Sequence, residues 1–478
     1  MAKALFRYGK FIVGMAVVVG LGWWLLRPPG RPVLEQASLA AEPSTLVSAR
    51  PANGADNSSE SRQNPESKEN SWTAFRGAKG NGVSESDKTP TKWSAKENLI
   101  WTTKLPGPGA SSPIVYGDKV FVTCYSGYGD GSDGNINDLK RHLLCLSRDS
   151  GKVNWEAKVS SSAQEDRYSG YITEHGYASS TPVTDGAAVY CFFGKSGVHA
   201  FDMDGKPLWN KSVGTSSANR KWGSAASPII YGDLVIVNAA EESRAVIALD
   251  KKTGKQVWKA EGRNLELCYG TPVVQETAGK KPELILALPG EIWGLNPMTG
   301  GLKWFASTKL TGNVSPSVCL ADGLAIAFGG YPNTASVAVK TGGVGDVAAS
   351  GIVWTGNKSS YVPSGVVKGK HIYWVNDRGL ATCAEVETGK ILYQERIGLG
   401  GGESASRPVY GSTVLAGDTL YSVTRQGGVF VWKASETFNK IGLNRIEGDE
   451  TDFNPSLAIS DQKLFLRSNK AIYCVGSK

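Results

Sequence analysis

The chain has 478 residues, of which 41% are hydrophobic, 58 are glycine and 14 are tryptophan. That much glycine argues against a long helical bundle. Residues 1–31 hold Lys3, Arg7, Lys10, Arg27 and Arg31 and no Asp or Glu, which leaves +3 of the net +8 charge on the other 447 residues, so the globular part lacks the electrostatic footprint of a nucleic-acid binder.

Residues 1–29 read as a signal anchor or transmembrane segment. An apolar run of 16 residues, 11–26, follows three basic residues and carries Trp23 and Trp24 where an interfacial aromatic pair belongs. The charge bias keeps the N-terminus cytoplasmic and sends the rest outward. An uncleaved anchor and a cleaved signal peptide with a distant site near Ser38-Leu39-Ala40 both remain open. The expected location is an inner membrane-anchored protein facing the periplasm, or a secreted periplasmic one after cleavage. Residues 30–70, rich in Ala, Ser, Pro, Asn and Glu, read as a flexible linker.

From residue 71 onward the sequence repeats. A small residue beside a proline opens each unit, at Pro113, Pro182, Pro228, Pro272, Pro316, Pro363, Pro408 and Pro455, and only the first interval departs from a period near 45. Each opening leads into alternating apolar runs separated by Gly and Asp turns, the pattern of short antiparallel strands. About four strands fit in each unit, which is one propeller blade. A Thr-Gly-Lys type turn near the end of a unit precedes an aromatic residue. Trp155, Trp209, Trp258, Trp304 and Trp354 take this place, with Tyr393 as a variant, and each is expected to anchor its blade on a neighbour. The segment Asn98-Leu-Ile-Trp101-Thr-Thr-Lys-Leu105 looks like a last strand that precedes its first opening, whereas the final unit lacks one. The N-terminal strand is therefore predicted to complete the C-terminal blade and close the ring. The fold class is all-β, an eight-bladed β-propeller over 71–478.

The seven cysteines contain no CxxC or CxxCH pattern. Most read as small core residues; Cys124 and Cys145, on strands of one blade, are the pair to test as a disulfide. The loop Asp130-Gly-Ser-Asp133-Gly-Asn135-Ile-Asn137-Asp138 is rich in oxygen but misses the EF-hand register, and reads as a plain turn-rich loop or a metal loop. His142, His175, His199 and His371 are scattered, and no GxSxG elbow is present.

The units, best seen in Leu249-Asp250-Lys-Lys-Thr253-Gly254-Lys-Gln-Val-Trp258, resemble the quinoprotein-type (PQQ-like) propeller repeat. The segment Trp72-Thr-Ala-Phe-Arg76-Gly77-Ala-Lys-Gly80-Asn-Gly82 is similar to the lead-in of PQQ-like repeat proteins of planctomycete-type bacteria. The resemblance implies the quinoprotein alcohol dehydrogenase-like fold and, in one branch, pyrroloquinoline quinone with calcium over the central channel. The adjacent cysteine pair of the alcohol dehydrogenases is missing here. The chain also resembles the BamB-type assembly propellers, which use this repeat without a quinone, although it has no cysteine before Cys124 to carry a lipid.

The loops before the openings should ring one mouth of the channel. They bring His175, Tyr177, Arg220, Trp222, Tyr269, Asn313, Tyr361, Arg407, Asp452 and Asn454 to a candidate binding surface, although the aromatic members could equally pack between blades. Insertions at 127–138 and 160–170 add loops to the first repeat, with Asp166-Arg167-Tyr168 and Tyr171 as candidate partner contacts. The expected function is a non-catalytic extracytoplasmic scaffold that binds protein or envelope-polymer partners, without a resident cofactor. The alternatives are a PQQ/Ca-dependent dehydrogenase and a small-ligand or sugar-binding sensor.

Overall fold

The computed structural model describes residues 71–161, 165–277, 279–398, 407–426 and 428–477. The anchor and linker readings lie outside these residues. Among the described residues no helix is long and apolar enough to cross a membrane.

Eight antiparallel sheets follow one another along the chain. Blade 1 begins at Ile114–Tyr116, blade 2 at Val183–Thr184, blade 3 at Ile229–Tyr231 and blade 4 at Val273–Gln275. Blade 5 begins at Cys319–Ala321, blade 6 at Val366–Lys368, blade 7 at Val414–Ala416 and blade 8 at Ala458–Ser460. The fourth strand of blade 8 is Leu99–Lys104, which pairs antiparallel with Ala471–Val475 and sets Trp101 opposite Cys474. The ring is thus closed by a strand from the other end of the sheet domain, as the sequence predicts, and blade 8 keeps a full complement of strands.

The core lies between blades. Separate apolar clusters fill successive junctions, for example Ile114, Phe121 and Cys145 against Val189, Cys191 and Phe201 between blades 1 and 2. The tryptophans dock these junctions in a repeating way. Trp101, Trp155, Trp209, Trp258 and Trp354 each donate Nε1–H to a turn carbonyl of the following blade, at 2.9, 3.0, 3.0, 3.1 and 2.8 Å. Each indole lies against that turn's glycine, namely Gly151, Gly205, Gly254, Gly300 and Gly389, all at positive φ. The glycine serves twice, because the turn needs left-handed backbone and the indole leaves no room for a Cβ. Trp304 departs from this pattern. It is fully buried and donates to Glu283 Oε2 of its own blade at 3.0 Å. The Gly-rich extension of the fifth repeat reaches the same carboxylate through the Gly342 amide at 2.9 Å.

The disulfide expectation fails. All seven cysteines are free and buried. Cys124 and Cys145 do lie on paired strands, but Cys124 faces His142 and Cys145 faces Phe121. That offset of three positions sends the two thiols to opposite faces of the blade, one toward blade 8 and the other toward blade 2. The Asp130 loop is a set of ordinary turns. The Asp130 carboxylate accepts from Gly127 N at 2.7 Å and Ser132 N at 3.1 Å, and Asn135 with Asp138 forms a capping box. Among the described residues no group of three or more His, Cys, Asp or Glu side chains is placed to hold a metal ion.

Candidate functional site

Two residues before each blade's first strand stands a hydroxyl, and these hydroxyls tie the blades together around the axis. The amide of Ser112 donates to Thr181 Oγ1 (2.9 Å), Thr181 to Ser227 (3.0 Å), Ser227 to Thr271 (2.9 Å) and Thr271 to Ser317 (3.1 Å). The series continues from Ser317 to Ser364 (2.9 Å), Ser364 to Ser412 (3.0 Å) and Ser412 to Ser456 (2.8 Å). At the closing junction Arg467 of blade 8 donates from Nη1 to Ser111 Oγ at 2.7 Å and to Thr123 O at 2.5 Å in blade 1. Prolines are not the equivalent positions of this collar. The hydroxyl precedes the proline in the first four repeats, follows it at Ser317, Ser364 and Ser456, and lies four residues beyond Pro408 at Ser412.

The lead-in segment closes one side of the collar. Trp72 exchanges hydrogen bonds with Val115 of blade 1 at 2.9 and 2.8 Å, and Thr73 O accepts from Thr184 N of blade 2 at 3.0 Å. Buried Arg76 donates to the Gly365 carbonyl of blade 6. Gly82 O accepts from Leu415 N of blade 7 at 2.8 Å, after which Val83–Ser84 joins that sheet in parallel. This path crosses the axis and leaves Phe75 in the wall of a cavity of about 150 Å³.

The insertion of the first repeat caps the other side. Its helical turn Ile172–His175 is held by Glu174, whose carboxylate pairs with Arg425 Nη1 at 2.7 Å and whose carbonyl accepts from Asn454 Nδ2 at 2.6 Å. Tyr171 lies 4.4 Å from the Trp222 ring and 6.5 Å from that of Tyr361, centroid to centroid. Tyr171 therefore turns inward over the axis. His175 is enclosed, with Nε2 2.9 Å from Trp222 O and Nδ1 2.5 Å from Ser179 Oγ. Burial holds its pKa below the ordinary imidazole value, so it positions the cap as a neutral group.

Of the ten residues expected at the mouth, His175, Trp222, Tyr269, Asn313, Tyr361 and Asn454 line this cavity. Arg220 and Arg407 stack on the wall: Arg220 is 5.8 Å from the Trp222 centroid, and Arg407 is 4.4 Å from that of Tyr361. Tyr177 instead packs against blade 1 and its inserted loops, edge-on to Tyr125 at 5.4 Å and beside Tyr128 and Tyr168, with Arg141 over its ring. Asp452 pairs with Arg425 at 2.9 Å outside the cavity wall. Sequence reasoning missed the serine and threonine collar, Phe75 and Tyr410. It also missed Tyr331, an exposed aromatic 6.0 Å from Tyr361.

Behind the aromatic wall lies a buried charge cluster. Tyr269 donates to Glu241 Oε1 at 2.6 Å, and the Ala218 amide to Glu241 Oε2 at 2.9 Å. The insertion contributes Glu165, paired with Arg141 at 2.9 Å, and Asp166, paired with Lys195 at 3.0 Å. Glu242, 2% exposed, accepts from Ser224 through one oxygen, whereas the other has no partner. Burial, with the neighbouring Glu241 and Glu165 charges, pushes its pKa up to about 7.

The described residues lining the axial cavity include no Asp, Glu, Lys or Arg. Calcium wants oxygen ligands that include carboxylates, and pyrroloquinoline quinone carries three carboxylates that want cations. The wall of hydroxyls, amides and aromatic rings does not fit that pair.

The fold and site define a closed eight-bladed propeller with a blind, capped axial cavity. A family model described as outer membrane protein assembly factor BamB matches residues 140–395, more than half of the chain, and the chain belongs to that family. No curated protein matches it in sequence. Among solved structures, BamB from Moraxella catarrhalis is 14% identical with a TM-score of 0.55, covering 80% of this chain and 97% of its own. A quinohemoprotein alcohol dehydrogenase from Comamonas testosteroni is 11% identical with a TM-score of 0.60, covering 87% of this chain and 82% of its own. A europium-containing methanol dehydrogenase is 11% identical with a TM-score of 0.57, covering 84% and 89%. At such identities the likeness is one of fold, and the fold hosts more than one activity.

Proposed function

We propose that this chain is a non-catalytic, extracytoplasmic binding propeller that engages an envelope partner at the capped mouth of its axis. The observation that carries this reading is the composition of the cavity wall, which offers hydroxyls, amides and aromatic faces but, among the described residues, no carboxylate or cation, and whose imidazole, His175, is engaged through both nitrogens by Trp222 O and Ser179 Oγ. Membership of the BamB family agrees with a partner-binding role. The basic and apolar N-terminus supports an envelope location.

The test has two arms. A photo-crosslinking residue placed at Tyr331, which is 49% exposed at the rim, should capture a specific envelope component in cells. Pyrroloquinoline quinone with calcium should neither bind saturably nor support dye-linked alcohol oxidation. Quinone-dependent dye reduction would overturn the proposal and favour the dehydrogenase.

A further inference from the structure

The axial cavity narrows the ligand further, on the premise that it is a binding site as proposed above. Its volume of about 150 Å³ is that of a cavity able to hold one six-membered ring. Trp222 is half-buried and presents a flat face beside Tyr171 and Tyr269, with ring centroids 4.4 and 6.1 Å away. Arg220 and Arg407 already sit over the Trp222 and Tyr361 rings. These fixed cations oppose a quaternary ammonium, which would otherwise suit an aromatic cage. Neither arginine is among the residues that line the cavity, so a carboxylate or phosphate there gains no direct ion pair with a described residue of the wall.

The polar groups of the wall are neutral and incompletely used. The collar hydroxyls from Thr181 to Ser456 each accept a neighbouring amide N–H, which leaves the hydroxyl hydrogen to donate. Asn313 Oδ1 accepts from Tyr361 at 3.2 Å, and its Nδ2 group has donors to give. Asn454 is 6% exposed and lines the cavity; its Nδ2 is spent on Glu174 O, and its Oδ1 is buried without a partner. Asn454 therefore offers the cavity no free polar atom, and the collar hydroxyls and Asn313 supply its polar contacts. The site therefore calls for a molecule with an apolar face for the indole and a rim of groups that both donate and accept.

We propose that the axial cavity binds a single neutral pyranose ring, with its C–H face on Trp222 and Tyr171 and its hydroxyls on the collar and Asn313. The ring can belong to a free monosaccharide or to the end of a neutral envelope glycan.

The test is isothermal titration of the full chain in a sugar-free detergent with methyl glucopyranosides, methyl galactopyranoside, methyl mannopyranoside and N-acetylglucosamine. At least one should bind saturably. Trp222→Ala should weaken that binding about tenfold or more, and Trp222→Phe should restore most of it. Leu208→Ala, on an exposed outer strand, should leave it unchanged. Repeating the titration with an oligosaccharide ending in the preferred ring separates the sources, since a glycan-end reader binds it at least as tightly and a free-sugar site rejects it. Cooperative melting of each variant establishes that it is folded. No sugar binding by the folded wild type, or binding indifferent to Trp222→Ala, would overturn the pyranose assignment. If crosslinking at Tyr331 still captures a partner in that case, the sugar class alone has failed. If neither appears, the binding reading falls with it.

Discussion

Glu242 gives the most direct test of the electrostatics behind the site. It is 2% exposed, and burial raises its pKa from 4.5 to about 7. The folded state therefore binds more protons than the unfolded chain between those values. Stability from this group is fully present below pH 4.5 and is lost as pH rises through 7. With 1.36 kcal/mol per unit, the loss amounts to about 3 kcal/mol. Glu242→Gln keeps an acceptor for Ser224 Oγ and removes the ionisation. The stability difference between variant and wild type should thus grow by about 3 kcal/mol from pH 4.5 to pH 8. For a domain of roughly 400 residues, at about 2 cal/mol/K per residue, this corresponds to a relative rise in Tm of roughly 3–4 °C. Urea or thermal unfolding across that range, at fixed ionic strength, measures it. A difference that stays constant with pH would refute the assignment of a strained buried carboxylate. It would mean that Lys195 or Arg141, already paired with Asp166 and Glu165, compensates Glu242 as well.

Three other outcomes test the architecture. Trp101→Ala removes an 8% exposed indole from the closing strand and should cost about 3–5 kcal/mol in equilibrium denaturation, with strand 99–104 losing amide-exchange protection first. Gly254→Ala places a Cβ 2.6 Å from Trp209 at φ +70, and should destabilise by at least about 1 kcal/mol; Gly232→Ala, at φ +56 with open space around it, should cost less. Because all seven cysteines are free and buried, a thiol reagent should label none of them in the native protein and seven in the denatured one without reductant.

Much of the ring was legible in the sequence because its determinants are local and repeated. A Thr-Gly-Lys type turn needs glycine's positive φ, the aromatic residue follows four positions later, and both recur in blades 1, 2, 3, 4 and 6. The orphan strand around Trp101 could be read as a closing strand because it carried the same signature out of order. The Cys124–Cys145 pairing failed on register, which strand assignment alone does not fix when the loop between the strands is 13 residues long. The collar was obscured by choosing proline as the marker of each repeat. A signal for it was present: Ser112, Thr181, Ser227, Ser364 and Ser412 each stand five residues before a turn glycine at positive φ, at positions 117, 186, 232, 369 and 417. Counting back from the turn, whose geometry is obligatory, finds the axis better than counting from a proline that can slide by several residues.

The two segments that convert a ring into a site were the least legible, and the reason is physical. The lead-in around Arg76 and the insertion around Tyr171 belong to no repeat, so periodicity says nothing about where they go. Their placement depends on contacts far away in sequence, from Arg76 to Gly365 and from Glu174 to Arg425 and Asn454. An eightfold ring of near-equivalent blades leaves an axis lined by near-equivalent groups, which by itself favours no single orientation of a ligand. The insertion breaks that equivalence. It sets Tyr171 and His175 over one side of the axis, next to Trp222, and it anchors on the opposite side at Arg425. On the proposed binding reading, specificity would come chiefly from the non-repeating segments, and the repeats would supply the collar on which a ligand rests.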